Sequence, residues 1–248
     1  MKLKVLIVFL LIGLSSFNPA NSLYKGLVCH YRFQEGSGLI IDDVHRKVKL
    51  PNKANGIVWK QTERGQLPYF DKATTTHIPL VKTSAFDFQS KPMTISCWAR
   101  MGNVINTYHY FVSDYANATD NSQFSLGYTN TNVFRMFWLN NGSAAILTGV
   151  GSPVVDTWYH VVGVRSGNTG SWTLTLYVNG LQQSTSSTAI NPPSQANAGT
   201  FTIGRPGSLL AAGTPLLGYV DEVMIWDRAI SHSEVRQLFT DQKDKFKK

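Results

Sequence analysis

Apolar and polar residues alternate with a period of two along several short runs, and clusters of Gly, Asn, Ser and Pro separate those runs. In residues 27–33, Leu27, Cys29, Tyr31 and Phe33 share one face, with His30 and Arg32 on the other. That spacing turns one side of a β-strand to a core and the other to polar surroundings. Residues 93–100, entered through Pro92, predict a second strand. Residues 158–165 and 172–178 predict a hairpin across the turn-rich segment 166–171. Asn179-Gly180, directly after it, is a strong type I′ turn signal. Residues 201–204 and 219–226 supply two more strands. A helical pattern occurs only at 231–239, where Ser231 and Glu234 have the spacing of a capping box. Residues 184–199 are polar, contain Pro192-Pro193 and predict a loop. The pattern predicts an all-β sandwich or barrel with one short C-terminal helix.

The first residues follow another rule. Lys2 and Lys4 precede a short apolar run at 5–14, and Ala20 and Ser22 place small residues before a cut at Leu23. Residues 1–22 therefore read as a secretory leader, its run of about ten residues falling short of the roughly 20 that span a bilayer. Residues 23–248 form one domain, expected to be secreted and without a transmembrane segment. Removing Lys2 and Lys4 lowers the formal charge from +8 to +6. The basic residues are scattered apart from Lys243, Lys245, Lys247 and Lys248, so no nucleic-acid partner is expected. In an exported chain the only two cysteines, Cys29 and Cys97, favour a disulfide, with two buried thiols as the alternative. Asn117 and Asn141 open glycosylation sequons, relevant in a eukaryotic source.

Three segments carry a family resemblance. They are Leu27-Val28-x-x-Tyr31-Arg32-Phe33-Gln34-Glu35-Gly36-Ser37-Gly38 with Asp43, the central runs 93–100, 158–162 and 174–180, and the closing Asp221-Glu222-Val223 strand with its helix. Their order resembles laminin G-like domains of the concanavalin A-like lectin/glucanase superfamily, with a pentraxin-related pattern. The resemblance implies a two-sheet antiparallel jelly-roll sandwich whose first strand pairs near the last. It also implies a possible structural calcium held by Asp43 and Asp221, with Asp42 as a neighbouring donor. The basic run Val44-His45-Arg46-Lys47-Val48-Lys49 departs from the family pattern. The competing reading makes Asp42 and Asp43 a polar turn and pairs Asp221 with a base.

Glycoside hydrolysis would need two carboxylates aimed into one groove. The chain has only Glu35, Glu63, Glu222 and Glu234, with no alternating acidic run, and adjacent Asp221 and Glu222 are expected on opposite faces of a strand. No nucleophile elbow, zinc motif or phosphate loop occurs. For ligand binding, the region 103–141 mixes Tyr108, Tyr110, Tyr115, Tyr128 and Trp138 with asparagines. Tyr115, Asn140 and Trp138 are the expected ligand residues, and the alternative for most strand aromatics is core packing. The expectation is a secreted, lectin-like module binding a glycan or glycoprotein without catalysis. The alternatives are a protein-interaction or adhesion module, or a divergent glycan hydrolase.

Overall fold

A computed structural model describes residues 23–247 apart from 39, 45–51, 74–75, 81–82, 104–107, 116–120, 150, 195–199 and 208–214. The leader-like residues 1–22 and the Asn117 sequon lie outside the described residues. Among the described residues the strands run β1 Leu27–Tyr31, β2 Ile40–Ile41, β3 Asn52–Lys53, β4 Val58–Thr62, β5 Gly65–Asp71 and β6 Ile78–Pro79. They continue as β7 Met93–Met101, β8 His109–Ser113, β9 Ser122–Tyr128, β10 Phe134–Asn140 and β11 Ser143–Thr148. The last are β12 Trp158–Asn168, β13 Ser171–Val178, β14 Leu181–Thr188, β15 Thr202–Ile203 and β16 Leu217–Trp226, before helix α1 at His232–Gln242.

These strands build the expected two-sheet antiparallel sandwich. One sheet has the order β14-β13-β12-β7-β16-β5-β4, with β1 also paired to β16; the other is β11-β10-β9-β8-β15-β6. The central core lies between them, where Phe111, Phe124, Leu126, Phe134, Met136 and Trp138 face Ile95, Cys97, Val161, Leu174 and Leu176. Gly163 lets the sheets approach there, because a Cβ would fall 2.7 Å from the Met136 sulfur. Arg165 crosses the same layer from β12, lying 5.1 Å from each of the Trp138 and Trp172 rings and donating to the carbonyls of Phe88, Lys91 and Gln123.

The outer face of the larger sheet is covered by α1. Leu27, Val162, Val164, Met224 and Trp226 pack there against Ile230, Val235 and Leu238. The helix starts where the capping box predicts, with Ser231 and Glu234 each accepting from the other's backbone. It runs beyond the expected Phe239, and a 3₁₀ turn follows at Lys243–Phe246. Phe246 stacks on Trp98 with ring centroids 4.0 Å apart, while the Trp98 indole donates to Gln242 at 2.7 Å. The N- and C-terminal ends of the domain thus meet on one face.

Local departures have identifiable causes. The β12–β13 hairpin closes through Thr169-Gly170 alone, because Ser166↔Thr173 and Asn168↔Ser171 continue the ladder through the expected loop. β14 likewise extends into the polar segment, pairing Ser184, Ser186 and Ser187 with β13. A register shift between Leu27 and Cys29 sends Leu27 under the helix and leaves Cys29 in the central core, so these two do not share a face. The expected disulfide is not formed: Cys29 and Cys97 are separate, buried thiols. β16 lies between their strands, since Ile225 pairs with Cys29 on one side and Ile95 on the other. Strands two places apart are separated by roughly 10 Å, beyond the roughly 7 Å that a disulfide tolerates between Cα atoms.

The closing strand also breaks alternation. Asp221 and Met224 oppose Trp98 and Ser96, so that Glu222 and Val223 together stand against Cys97 alone, and Glu222 adopts φ 48°. This bulge turns both carboxylates onto one guanidinium instead of onto opposite faces. Arg64 Nη2 lies 3.0 Å from Asp221 and 3.2 Å from Glu222, while Arg64 Nε donates to Asp221 at 3.1 Å. His30 Nε2 reaches Glu222 at 2.5 Å, and Arg32 Nε lies 3.5 Å from it. Burial pushes the Asp221 carboxyl up to about 7, with Glu222 adding to the effect and Arg64 opposing it. Burial also acts upward on Glu222, but His30, Arg32 and Lys245 hold it below the usual range.

Two expectations follow from this architecture. Burial pushes both cysteine thiols up; each should resist a thiol reagent until the chain is denatured, and dithiothreitol should leave the Tm unchanged. A lower Tm on reduction would restore the bridge. For Asp221, the folded state holds its proton to a higher pH than the unfolded state, whose value is near 3.8. This group's contribution to stability therefore falls as pH rises from about 3.8 to about 7 and is flat above that window. Urea unfolding of Asp221→Asn should show the variant gaining on the parent across that window. The opposite slope would mean that the Arg64 ion pair outweighs burial.

Candidate functional site

The residues proposed for calcium do not fit it as they stand. Asp43 is buried and accepts the His30 backbone N–H at 2.8 Å, and the Asp42 backbone N–H donates to Glu35 at 3.0 Å. Asp221 carries Arg64 against its carboxylate, so a guanidinium stands where a cation would need oxygen donors. Among the described residues no group of three or more His, Cys, Asp or Glu is placed to hold a metal. This is the base-paired alternative for Asp221.

The three expected ligand residues separate. Trp138 is fully buried, faces the inter-sheet core, and donates its indole N–H to Ile190 O at 3.1 Å. Asn140 ends β10 and donates its amide to Asn191 O at 3.1 Å. Both act in packing and loop attachment. Asn141, with φ 48°, and Gly142, with φ 77°, form the two-residue β10–β11 turn, leaving the Asn141 sequon on an exposed tip. Tyr115 lines a pocket.

That pocket lies on the outer face of the smaller sheet. Along β10 the even positions Phe134, Met136 and Trp138 enter the core, so Arg135, Phe137 and Leu139 project outward. Arg135 and Tyr110 both pair with Gly127, which separates them on β9. A Cβ at Gly127 would fall 2.0 Å from His109 O, so only glycine fits this position. Tyr108, Tyr110, Tyr115, Phe137, Leu139 and Ile146 surround Arg135 in an open pocket of about 100 Å³. The guanidinium carbon lies 4.3 Å from the Tyr108 ring, 5.3 Å from Tyr110 and 4.2 Å from Phe137. Tyr110 also hydrogen-bonds it.

Arg135 is only 7% exposed, and its Nε meets no hydrogen-bond partner. Burial pulls its pKa below the usual guanidinium value, an effect the surrounding tyrosines partly offset. Among the described residues no carboxylate pairs with it. Asp114, next to Tyr115, directs its carboxylate to the Ser122 hydroxyl and the N–H groups of Gln123 and Phe124. A second pocket, of about 250 Å³, is lined by Asp156, Thr157, Trp158 and Phe246. Its neighbouring charges compensate one another, with Arg100 3.2 Å from Glu63 and 3.5 Å from Asp156. The smaller pocket is the stronger candidate because it holds a cation that no carboxylate among the described residues compensates, beside aromatic faces.

Of the residues expected to bind ligand, Tyr115 lines this pocket, together with Tyr108 and Tyr110 from the same expected region; Arg135, Phe137, Leu139 and Ile146 were not singled out from the sequence. The available signal was the near-continuous apolar run around Arg135. A strand apolar at both parities serves a surface on each side of its sheet.

Comparison places this geometry in a wider group. A laminin G family model, described as the concanavalin A-like lectin/glucanases superfamily, matches residues 73–236. A search among curated proteins returns no match. Among solved structures, the binding domain of Paraclostridial Mosquitocidal Protein 1 superposes with TM-score 0.66 and 16% identity, covering 88% of this chain and 53% of that one. Domain 4 of AbnA, an extracellular arabinanase from Geobacillus stearothermophilus solved with arabinotriose, gives TM-score 0.62 and 17% identity, with 86% and 97% covered. Trypanosoma rangeli sialidase, solved with sialic acid, gives TM-score 0.63 and 18% identity, with 90% and 34% covered. The chain thus spans about half of the first of these, nearly all of the second and a third of the last. At these identities the superpositions establish the fold, and the match over 73–236 establishes the lineage: the chain belongs to the concanavalin A-like lectin/glucanases superfamily.

Proposed function

We propose that this chain is an exported, non-catalytic glycan-recognition module, and that the pocket around Arg135 is its binding site. The observation that carries the reading is the open aromatic pocket on the outer face of the smaller sheet. Aromatic rings offer flat apolar surface to the C–H face of a sugar, and a few polar groups orient it. The superfamily supports the reading, as do neighbours solved with arabinotriose or sialic acid.

The acidic side chains support a role without catalysis. Asp221 and Glu222 are buried against Arg64, and Glu63 accepts from Trp158 and Arg100. Glu234 is held by its capping box and Arg228, while Glu35 accepts from Asp42. Glycoside hydrolysis needs a pair free to exchange protons with a bound substrate. Each of these carboxylates is already committed to a structural partner.

A glycan array with residues 23–248 should return a restricted set of ligands, without release of reducing sugar and with the same pattern in calcium and EDTA. Tyr108→Ala should weaken binding about tenfold or more while leaving the fold intact by circular dichroism. A folded chain that binds no glycan would overturn the proposal in favour of a protein-interaction role. Loss of the hits in EDTA would instead place a metal in the site.

A further inference from the structure

The caged arginine has a second consequence, which rests on the glycan-binding reading. We infer that the pocket recognises an acidic substituent of its glycan, a carboxylate or a sulfate ester, through the Arg135 guanidinium. Three observations converge. Arg135 is nine-tenths buried with an unpartnered Nε, no carboxylate among the described residues neutralises it, and the pocket in front of it opens to solvent. A buried cation without a counter-ion is costly, and an entering oxyanion recovers that cost through charge-assisted hydrogen bonds. The planar donor fork suits an acidic group better than a neutral hydroxyl.

Size sharpens the inference. Whole-ligand pockets run to roughly 300–1,000 Å³, whereas this one holds about 100 Å³. It therefore admits a substituent, with the sugar ring resting on the rim. Ile146, 51% exposed at one edge, and the ring of Tyr108 supply apolar rim surface. The contrast with Arg165 separates this site from ordinary packing. Arg165 also sits among aromatic rings, but it donates to three backbone carbonyls. Arg135 has the rings and Tyr110 without such a set of acceptors.

The test titrates the folded 23–248 chain with paired oligosaccharides that differ in one group, glucuronate against glucose and sulfated against unsulfated galactose, at fixed ionic strength. At least one acidic member should bind roughly 10- to 100-fold tighter than its neutral twin, the equivalent of one or two charge-assisted hydrogen bonds. The pair that discriminates identifies carboxylate or sulfate as the source. Arg135→Met should abolish that preference. Its Tm should equal or exceed the parent's, because a desolvated charge has been removed.

Parent-chain thermal shifts with acetate and sulfate, set against a chloride control, give a readout that does not depend on the variant. Equal binding of both members of every pair overturns this inference and leaves the glycan-binding reading standing. No binding of any sugar, with a shift by acetate alone, overturns both and makes the pocket a receptor for a protein carboxylate. A preference that survives Arg135→Met also overturns the assignment to Arg135.

Discussion

Much of the sandwich is organised around one buried cation. Arg165 projects from β12 into the layer between the sheets, flanked by Trp138 from the smaller sheet and Trp172 from the larger. Its donors reach the carbonyl of Gln123 on β9 and those of Phe88 and Lys91 ahead of β7. One side chain therefore ties the two sheets to the segment that leads into the central strand. Burial lowers its pKa to about 9, so it remains a cation at neutral pH. Removing one partner of a buried charge typically costs about 3–5 kcal/mol, because the charge keeps its desolvation penalty. The surrounding carbonyls and rings are thus constrained to keep their positions.

That constraint reaches the candidate site through one strand. β10 presents Trp138 to Arg165 on its inner side and holds Arg135 and Phe137 on its outer side. Fixing the inner face at the Trp138–Arg165 contact fixes the outer face by alternation. Gly127 then sets the spacing between Arg135 and Tyr110, since no side chain fits against the His109 carbonyl. The pocket is built on strands and anchored from behind by the core, which is how a recognition site is held to a narrow geometry.

The broad architecture was legible because its signals are local. Alternation marked the strands of the central sheet, and Ser231 with Glu234 marked the start of the helix. What could not be read depended on residues distant in sequence. Cys29 and Cys97 lie on strands of one sheet, yet β16 between them is a fact of topology that neither segment encodes alone. The bulge at Glu222 inverts the expectation for the Asp221–Glu222 pair, and it accompanies Arg64, 157 residues before Asp221, contacting both carboxylates. The site shows the same division. Tyr115 was recognisable as an aromatic near a turn, but Trp138 and Arg135 could be told apart only once the parity of β10 was known. Trp138 looked like a platform and is core; Arg135 looked incidental and faces the pocket.

The two outer faces of the sandwich have had different fates. On the larger sheet, α1 and the 3₁₀ turn cover the apolar surface, with Phe246 on Trp98 and Gln242 on the Trp98 indole. Arg64 closes over the acidic pair beside it and lies 4.6 Å from the Phe246 ring. Rings and charges there are matched by partners from the same chain. On the smaller sheet, Arg135 and its rings border solvent without a compensating anion among the described residues. A buried charge left incomplete is a stability cost, and selection for folding alone would tend to remove it. Its placement beside a shaped apolar surface is the physical case for ligand recognition on that face.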